Sequence, residues 1–356
     1  MVIRLRTQIA KCERFQMFET KSGLRKFATL VISTVIAIAA TTPAQAAVQY
    51  PKTVSYLANQ FVDGKYVVGF TPGKADLGMT FEAMLQLLGA GKDAKAQTAA
   101  VKYNLISAAT LGTWETKTGA LYSSDKRFNS ADAGKFLFTA SVFKQNKTAI
   151  AKSVLATIKK HIAKDGSVLA VPDNSVAPSQ NIYTSAWLVL GLEAANEKAL
   201  AEKIAMNLIT FAVAKTGGFA DSQTDSAAAA SPDATGLALQ ALAAVKGFGT
   251  KTEETKKNSV ISKSRSWLGS VAQVDASGKF FSSWGEWSAN STAYAAMGLK
   301  ATGSKITDYS KWLASKISSA DSGIQAGSWT AGAGNAYATI QGYLALIGKS
   351  YLDLMK

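Results

Sequence analysis

The sequence predicts an all-α protein, an (α/α)6 toroid in which six outer helices surround a ring of six inner helices. Three observations support this fold. Six polar residues each open an apolar run of about fourteen residues. These runs are apolar nearly all round, which is typical of helices buried on every side. An amphipathic segment precedes the runs, and repetition of such pairs at a step of about 45 to 57 residues indicates a ring of repeats.

The inner helices are delimited by residues that commonly begin and end helices. The polar residues at their starts are Asp76, Asp132, Asn181, Asp233, Asn290 and Asn335. The residues near their ends are Gly91, Asn146, Asn196, Gly247, Gly303 and Gly348. Asp and Asn side chains accept hydrogen bonds from the first free N–H groups of a helix, and Gly or Asn adopts the left-handed conformation that terminates one. The pattern therefore predicts six N-capped helices of about four turns.

The fourth inner helix shows why these segments should be buried. Leu237, Leu242 and Val245 lie on one face, and Leu239 makes the opposite face apolar as well. Small residues such as Gly236 recur in the inner segments, and they favour close packing between helices. These helices should form the wall of a barrel.

The outer helices carry an apolar stripe on one side and lysines on the others. Leu200, Ile204 and Leu208 mark one of them at helical spacing. An aromatic–leucine pair recurs in three: Tyr56-Leu57, Trp267-Leu268 and Trp312-Leu313. An open solenoid would have the same period, but its terminal repeats need polar faces. The first and last inner segments are both apolar, which favours a closed ring.

The first 46 residues have the pattern of a signal peptide. Lys21, Arg25 and Lys26 precede an apolar run, and Ala44-Gln45-Ala46 provides a small-residue cleavage site. An uncleaved anchor is the alternative, and Met17 is an alternative start. We therefore expect a signal peptide over 1–46 and one toroid domain over 47–356, secreted or associated with the cell wall. No further apolar run is long enough to anchor the mature chain.

Charge and cysteine content restrict the partners of the mature chain, which we expect to be monomeric. Removing seven basic and two acidic residues from 39 and 24 leaves 32 minus 22, a net charge of +10. An anionic cell-wall polymer would attract such a chain, although charge can also serve solubility alone or a lysine-rich scaffold surface. The lysines are dispersed, so no nucleic-acid partner is expected. Cys12, the only cysteine, lies in the removed segment.

Several stretches resemble the repeats of prenyltransferases and squalene cyclases, also described as prenyltransferase/squalene-oxidase repeats. They are Gly217-Gly218-Phe219, Thr235 to Leu242, Asn290 to Leu299, and Gly323 to Trp329 with its Gln–Trp loop pattern. The resemblance covers about residues 50–350. It implies the toroid superfamily of terpenoid cyclases, protein prenyltransferase β-subunits, complement thioester domains and the α-domain of cobalamin carriers such as transcobalamin.

The established chemistries of that superfamily require motifs that this sequence lacks. There is no D-x-D-D motif for a class II cyclase, and Asp221 and Asp225 have the wrong spacing. One histidine and no mature cysteine cannot build the prenyltransferase zinc site. The thioester Cys–Gln motif is absent too. We therefore expect no metal and no cofactor, and a chain closest in character to the cobalamin-carrier domain, with a corrinoid as one possible ligand.

The loops that lead into the inner helices are rich in aromatic residues. These candidate ligand-binding residues are Trp114, Tyr122, Tyr183, Trp187, Phe280, Phe281, Trp284, Trp287, Trp329 and Tyr337. Aromatic rings at a cavity mouth can stack on a sugar, a corrin or a polyisoprene, and Phe280 to Trp287 is the densest stretch. The alternative is that these rings pack the loops onto the barrel. A ring of helix N-termini at the mouth would favour an anionic ligand.

The sequence offers only weak candidates for catalysis. Glu286, Asp221 and Asp225 could form a carboxylate pair of the glycosidase type, or they could be solvated loop residues. His161 follows an apolar helical stripe and is predicted to be structural, and no G-x-S-x-G elbow occurs. The first hypothesis is a non-catalytic protein that binds a small molecule or glycan at the mouth. The alternative is a secreted terpenoid cyclase-like or polysaccharide-degrading enzyme.

Overall fold

The computed structural model describes residues 50–69, 73, 75–91, 122, 127–172, 181–224, 226–283, 285–327 and 334–356. The chain divides into two units, Met1–Ala47 and Val48–Lys356, and all described residues belong to the second. Within the described ranges, no helix is both long enough and apolar enough to cross a membrane.

The described unit is built from outer and inner helices that alternate along the chain. The inner helices are α2 (Leu77–Ala90), α3 (Ser130–Val142), α5 (Ile182–Ala194), α7 (Pro232–Ala244), α9 (Ala289–Ala301) and α11 (Gly334–Leu346). The described outer helices are α1 (Pro51–Ala58), α4 (Ala149–Lys160), α6 (Lys198–Leu208), α8 (Lys251–Val271) and α10 (Thr307–Ser315). The outer helix predicted before α3 lies outside the described residues.

The inner helices form a closed ring, as the sequence predicts. Each contacts the next in the order α2, α3, α5, α7, α9 and α11, and α11 returns to α2. Leu237, Leu239 and Leu242 of α7 are all fully buried, in agreement with a helix that is enclosed on every side. The chain is therefore an all-α toroid.

The aromatic–leucine pairs of the outer helices show the same closure. The Trp267 ring covers Gly218 in the turn of the preceding repeat, so tightly that a Cβ there would lie 2.7 Å from the ring. The Tyr56 ring covers Gly323 in the same way, at 2.6 Å. The second contact joins the first outer helix to the last repeat. An open solenoid would leave Tyr56 without this partner.

Three of the predicted helix starts are wrong, and a fourth, Asn335, is the second residue of α11 and not its first. Asp76 and Asn181 do cap α2 and α5, accepting hydrogen bonds from Met79 and Tyr183 N–H. Asp132, Asp233 and Asn290 instead lie within the first turns of α3, α7 and α9. The residues that stand at those starts are Asn129, Ser231 and Ser288. Ser231 and Ser288 cap their helices by accepting hydrogen bonds from the Ala234 and Ser291 N–H groups. The Asn129 side chain caps no N–H group and donates to Asp132 instead.

Short antiparallel strands precede two of the inner helices. Strands β1 (Phe61–Val62), β2 (Tyr66–Val68) and β3 (Ala75–Asp76) form one sheet, in which Phe61 pairs with Val67. Strands β4 (Gln273–Asp275), β5 (Gly278–Ser283) and β6 (Glu286–Ser288) form another, in which Gln273 pairs with Phe280.

A buried threonine in four of the inner helices accepts a hydrogen bond from a backbone N–H of the turn before the helix. These threonines are Thr80, Thr235, Thr292 and Thr339. Each lies four residues after a helix-start position, which aligns Asn335 of α11 with the other starts.

Two inner-helix interfaces depend on glycine. A Cβ on Gly134 of α3 would lie 2.5 Å from the Trp187 carbonyl carbon of α5, and one on Gly236 of α7 would overlap the Tyr294 carbonyl of α9. The two glycines occupy the same position, five residues after their helix starts. The helices approach so closely that no other residue fits without displacement.

Candidate functional site

The mouth of the barrel holds a cavity of about 240 Å³ at the N-terminal ends of the inner helices. Its lining comes from two positions of the repeat, the second and the sixth residues after each helix start, which are four apart and share a helix face. The second position provides Ala131, Tyr183, Asp233 and Tyr337. The sixth position provides Glu82, Lys135, Trp187, Tyr294 and Gln341. The site is thus a property of the ring, assembled from helices far apart in sequence.

Glu82 is the most firmly held group of the cavity. Its carboxylate pairs with Lys135 Nζ at 2.6 Å and accepts hydrogen bonds from the Tyr294 hydroxyl at 2.6 Å and the Tyr351 hydroxyl at 3.2 Å. The Glu82 side chain is 1% exposed and that of Lys135 15%. Because Glu82 lies beside Lys135, its charge raises the pKa of the Lys135 ammonium despite burial. Lys135 also lies 5.4 Å from the Trp187 ring centroid.

Asp233 differs from Glu82 in that one of its carboxyl oxygens lacks a hydrogen-bond partner among the described residues. This oxygen, Oδ1, is inaccessible to water. Burial raises the pKa of Asp233 to about 6, the nearby charge of Asp221 adds to this increase, and a hydrogen bond from Ser291 opposes it. Asp233 lies in the first turn of α7, where the helix dipole favours an anion, so desolvation outweighs the dipole here.

Asp221 lies at the rim beside Asp233 and is exposed. It accepts hydrogen bonds from the Tyr183 hydroxyl at 3.1 Å and from the Ser231 hydroxyl at 3.5 Å. Burial, with the charges of Asp233 and Asp221, raises the pKa of Tyr183, so its hydroxyl remains a proton donor. The structure thus brings the exposed Asp221 carboxylate, the Tyr183 hydroxyl and the half-buried Asp233 carboxyl together at one side of the mouth.

The opposite half of the barrel is filled. Tyr351, in a 3₁₀ helix (Tyr351–Leu354) that follows α11, is fully buried and packs against Trp187 with ring centroids 4.9 Å apart. Its backbone N–H donates to Gln240 of α7. The barrel is therefore open as a cavity at the mouth and plugged beneath it, whereas the sequence left the choice between the two open.

The aromatic stretch that the sequence favoured as a binding surface packs into the outer layer. Phe281 is fully buried and stacks on Tyr309, with centroids 5.5 Å apart. Phe280 stacks on Trp312, and Trp287 meets the same ring edge-on while Lys316 covers both tryptophans. None of these phenylalanines and tryptophans lines the cavity. The alternative interpretation, loop packing, describes their positions.

Tyr122 and His161 form a small internal cluster away from the cavity. The Tyr122 hydroxyl lies 3.2 Å from His161 Nε2, and Nδ1 lies 2.9 Å from the Leu169 carbonyl oxygen. Phe128 stacks on the imidazole at 4.1 Å. Burial lowers the pKa of His161, so the ring is neutral and Nδ1–H donates to Leu169. This environment supports the structural role that the sequence predicts for His161.

The other candidates divide between the cavity and undescribed segments. Tyr183, Trp187 and Tyr337 lie on the cavity lining. Glu286 is exposed on β6 and is not part of that lining. The remaining candidates, Trp114, Trp284, Trp329 and Asp225, lie outside the described residues.

Sequence reasoning missed Glu82, Lys135, Tyr294, Gln341 and Tyr351, and it treated Asp233 as a cap. One local signal could have corrected the last error. Pro232 is favoured at the first helical position, because its missing N–H needs no partner there, and this marks Ser231 as the cap. With the starts placed correctly, the second and sixth positions identify the polar lining.

The described residues contain no group of three His, Cys, Asp or Glu side chains that could hold a metal ion. Glu82 and Asp132 both lie close to Lys135, but the ammonium already supplies a positive charge at this point. The described lining of the cavity offers carboxyl, amine, phenol, indole and amide groups.

Asp233 should make the protein less stable as pH rises through the weakly acidic range. Its folded pKa of about 6 exceeds the ordinary value of 3.8, so the native state binds more protons between these values and unfolding becomes easier with increasing pH. We expect a loss of roughly 1–3 kcal/mol between about pH 4 and pH 7, since one pKa unit corresponds to about 1.4 kcal/mol.

Urea unfolding across that pH range checks this expectation. The Asp233→Asn variant should lack the decrease, and Asp308→Asn, which alters an exposed carboxylate of α10, should retain it. Equal pH dependence in the wild type and Asp233→Asn would contradict the assignment.

Comparison with known proteins identifies relatives of the fold. No protein-family model matches the chain, and no curated protein matches its sequence significantly. Among solved structures, it resembles the α-1,6-mannanase GH76A of Salegentibacter sp. HEL1_6, with a TM-score of 0.52, 10% identity, and coverage of 86% of this chain and 99% of the mannanase. An inactive variant of that enzyme with α-1,6-mannotriose gives a TM-score of 0.53, 9% identity, and coverage of 83% and 99%. Another inactive variant, with α-1,6-mannotetrose, gives 0.52, 10%, 84% and 100%.

At this level of identity, the similarity establishes the fold and leaves the chemistry to the residues. The toroid part of the resemblance drawn from the sequence is confirmed. These structures do not support the specific prenyltransferase and cobalamin-carrier superfamily. Both inactive mannanase variants carry substitutions at two consecutive aspartates. Our chain contains no two consecutive aspartates.

Proposed function

We propose that this protein is an exported carbohydrate-active toroid that binds a neutral glycan at the mouth of the barrel and hydrolyses a glycosidic bond. The observation that carries the proposal is Asp233, a half-buried carboxyl whose Oδ1 has no hydrogen-bond partner among the described residues, at a cavity that also contains tyrosine and tryptophan rings. Such a group suits a general acid. The fold shared with an α-1,6-mannanase supports the choice of substrate class.

Two carboxyl groups in different environments can divide the work of glycoside hydrolysis. Asp233, protonated below about pH 6, would donate its proton to the glycosidic oxygen as the bond from that oxygen to the anomeric carbon breaks. A water molecule would form the new bond to the anomeric carbon and pass its proton to Asp221, the exposed carboxylate held by Tyr183. Exchange with solvent then returns both groups to their starting states.

Glu82 is assigned a different part in this scheme. Lys135 and two tyrosine hydroxyls occupy its oxygens, so it is poorly placed to attack a sugar or to take up a proton. Its fixed negative charge, together with the tyrosines and Gln341, can orient sugar hydroxyls and favour the positive charge that develops at the anomeric carbon. Above about pH 6, where Asp233 is ionised, its charge and that of Glu82 outnumber the single Lys135 ammonium. This makes the cavity unsuitable for acidic sugars, contrary to the anionic ligand suggested by the helix N-termini alone.

The test measures binding and hydrolysis separately on residues 47–356. α-1,6-Mannotriose and other neutral oligosaccharides are tested by calorimetry and product analysis, with an oligouronate as the unfavourable ligand. Asp233→Asn should lower kcat by about 10²–10⁴-fold on an oligosaccharide and far less on an aryl glycoside whose leaving group needs no proton. Asp221→Asn should lower kcat on both substrates, and Asp308→Asn should change neither. The kcat of the wild type should fall as pH rises through about 6.

The outcomes separate the two functions under consideration. Hydrolysis that survives Asp233→Asn unchanged would overturn the assignment of the acid. Binding without turnover in the wild type would favour a non-catalytic glycan-binding protein. That second function is favoured by the saturated hydrogen bonding of Glu82 and by the lack of consecutive aspartates. Absence of both binding and turnover across the panel would overturn the proposal.

A further inference from the structure

The segment that follows α11 reaches the catalytic side of the barrel from the opposite end. We call residues 348–356 the floor segment. Lys349 Nζ donates to the Gly89 carbonyl oxygen at the end of α2, and Ser350 with Asp353 forms a capping box for the 3₁₀ helix. These contacts fix the segment against the ends of the inner helices. Tyr351 points from it into the barrel and is fully buried.

Tyr351 is bound on all sides by residues of the inner helices. Its hydroxyl donates to Glu82 Oε2 at 3.2 Å and accepts from Gln86 Nε2 at 3.3 Å. The Gln86 side chain is itself fixed, because its Oε1 accepts the Leu344 N–H of α11. Around the Tyr351 ring, Trp187 and Phe138 lie at centroid distances of 4.9 and 6.1 Å. A single residue therefore touches both Glu82 and Trp187 of the cavity lining.

This arrangement exceeds what packing alone requires. A phenylalanine would fill the same space between Phe138 and Trp187, but it would remove the second of the two hydroxyl donors to Glu82 Oε2 and leave the Gln86 amide short of an acceptor. Lys135 and Tyr294 approach Glu82 at 2.6 Å each, and Tyr351 supplies the third donor. Three donors on one carboxylate restrict its rotation, since any turn of the group lengthens at least one of these bonds.

We propose that Tyr351 is a positioning residue of the mouth site and that the floor segment sets the depth of the cavity. Tyr351 holds Glu82 and Trp187 in the orientation that faces the ligand, and it closes the barrel so that a ligand enters and leaves by the mouth. This role rests on the proposed glycan site for its functional consequence. The hold on Glu82 itself does not depend on which ligand binds.

The first measurement needs no ligand. In protein labelled at glutamate carboxyls, the Glu82 resonance is assigned with Glu82→Gln and compared at one pH in the wild type, Tyr351→Phe and the control Tyr309→Phe, a buried tyrosine of α10. We expect the Glu82 resonance to shift in Tyr351→Phe and to stay unchanged in Tyr309→Phe. An unchanged resonance in a folded Tyr351→Phe protein would overturn the proposal.

A rescue experiment distinguishes the hydroxyl from simple filling of space. Tyr351→Ala should leave a cavity that p-cresol and toluene can both enter, as engineered apolar cavities do. Because only p-cresol offers a hydroxyl to Glu82 and Gln86, it should raise the melting temperature by about 2 °C more than toluene. Equal stabilisation by the two compounds would assign Tyr351 a packing role only and overturn the proposal.

The functional measurement uses α-1,6-mannotriose. Tyr351→Phe should lower kcat about tenfold while KM stays within about twofold, because a disordered Glu82 weakens interactions made in the transition state more than those made in the ground state. Wild-type kcat in Tyr351→Phe would overturn the functional part of the proposal. If the wild type neither binds nor cleaves glycans but the Glu82 resonance shifts in Tyr351→Phe, the proposed function fails and the positioning of Glu82 by Tyr351 stands.

Discussion

Replacing Glu82 with glutamine is expected to lower the free energy of unfolding by about 3–5 kcal/mol, because it removes the carboxylate that pairs directly with the Lys135 ammonium in the barrel. Lys135 is 15% exposed and pairs with Glu82 at 2.6 Å. Removing one partner of a buried ion pair costs far more than the pair contributes relative to apolar residues, since the remaining charge stays desolvated. Chemical denaturation of the two proteins at pH 7 measures the difference.

An exposed ion pair of similar geometry provides the control. Glu197 pairs with Lys159 at 3.0 Å, but the two side chains are 31% and 48% exposed. Glu197→Gln should therefore cost no more than about 1 kcal/mol. The double variant Glu82→Gln/Lys135→Met should recover most of the loss seen in Glu82→Gln, because the ammonium is removed together with its partner. A loss below about 1 kcal/mol in Glu82→Gln would show that water reaches Lys135 freely.

Gly236→Ala is the substitution outside the cavity with the largest expected effect, a loss of about 2–4 kcal/mol. The added methyl group would overlap the Tyr294 carbonyl and lie 2.6 Å from the Ala295 nitrogen, so α7 and α9 would have to move apart. Backbone atoms cannot rotate away as a side chain can. Because Tyr294 also donates to Glu82, the displacement should weaken the cavity network as well.

The same substitution at Gly269 is the matched control. Gly269 lies within the outer helix α8, is exposed, and has no atom within 4 Å of an added Cβ. Alanine is favoured over glycine in a helix, so Gly269→Ala should stabilise the protein by about 0.5–1 kcal/mol. Thermal melting of the two variants should give shifts of opposite sign. Stabilisation by both substitutions would contradict the close approach of α7 and α9.

The ring and its closure could be predicted from the sequence because they depend on repeated local patterns. Leu237, Leu239 and Leu242 on different faces of one helix already require burial on every side. The aromatic–leucine pairs identify equivalent outer helices, and Leu57, Leu268 and Leu313 are all fully buried. Each of these signals is confined to one helix, so reading it requires no knowledge of its neighbours.

The candidate site was only partly accessible from the sequence. Tyr183, Trp187 and Tyr337 were chosen for their aromatic character, and they lie on the cavity lining. The same criterion selected Phe281, whose ring lies in the core against Tyr309. An aromatic residue that follows a loop is equally suited to packing and to ligand binding, since its composition is the same in both cases. The criterion therefore cannot distinguish the two.

The sequence by itself determined the all-α class, the alternation of inner and outer helices and the burial of the inner ring, because the spacing of apolar residues dictates which helix faces avoid water. Only the tertiary structure decided the contacts among the polar residues of the candidate site. Glu82, Lys135, Tyr294 and Tyr351 come from four segments separated by up to 269 positions along the chain. Their effects on one another fall steeply with distance and with exposure to water. Neither quantity exists until the ring has closed.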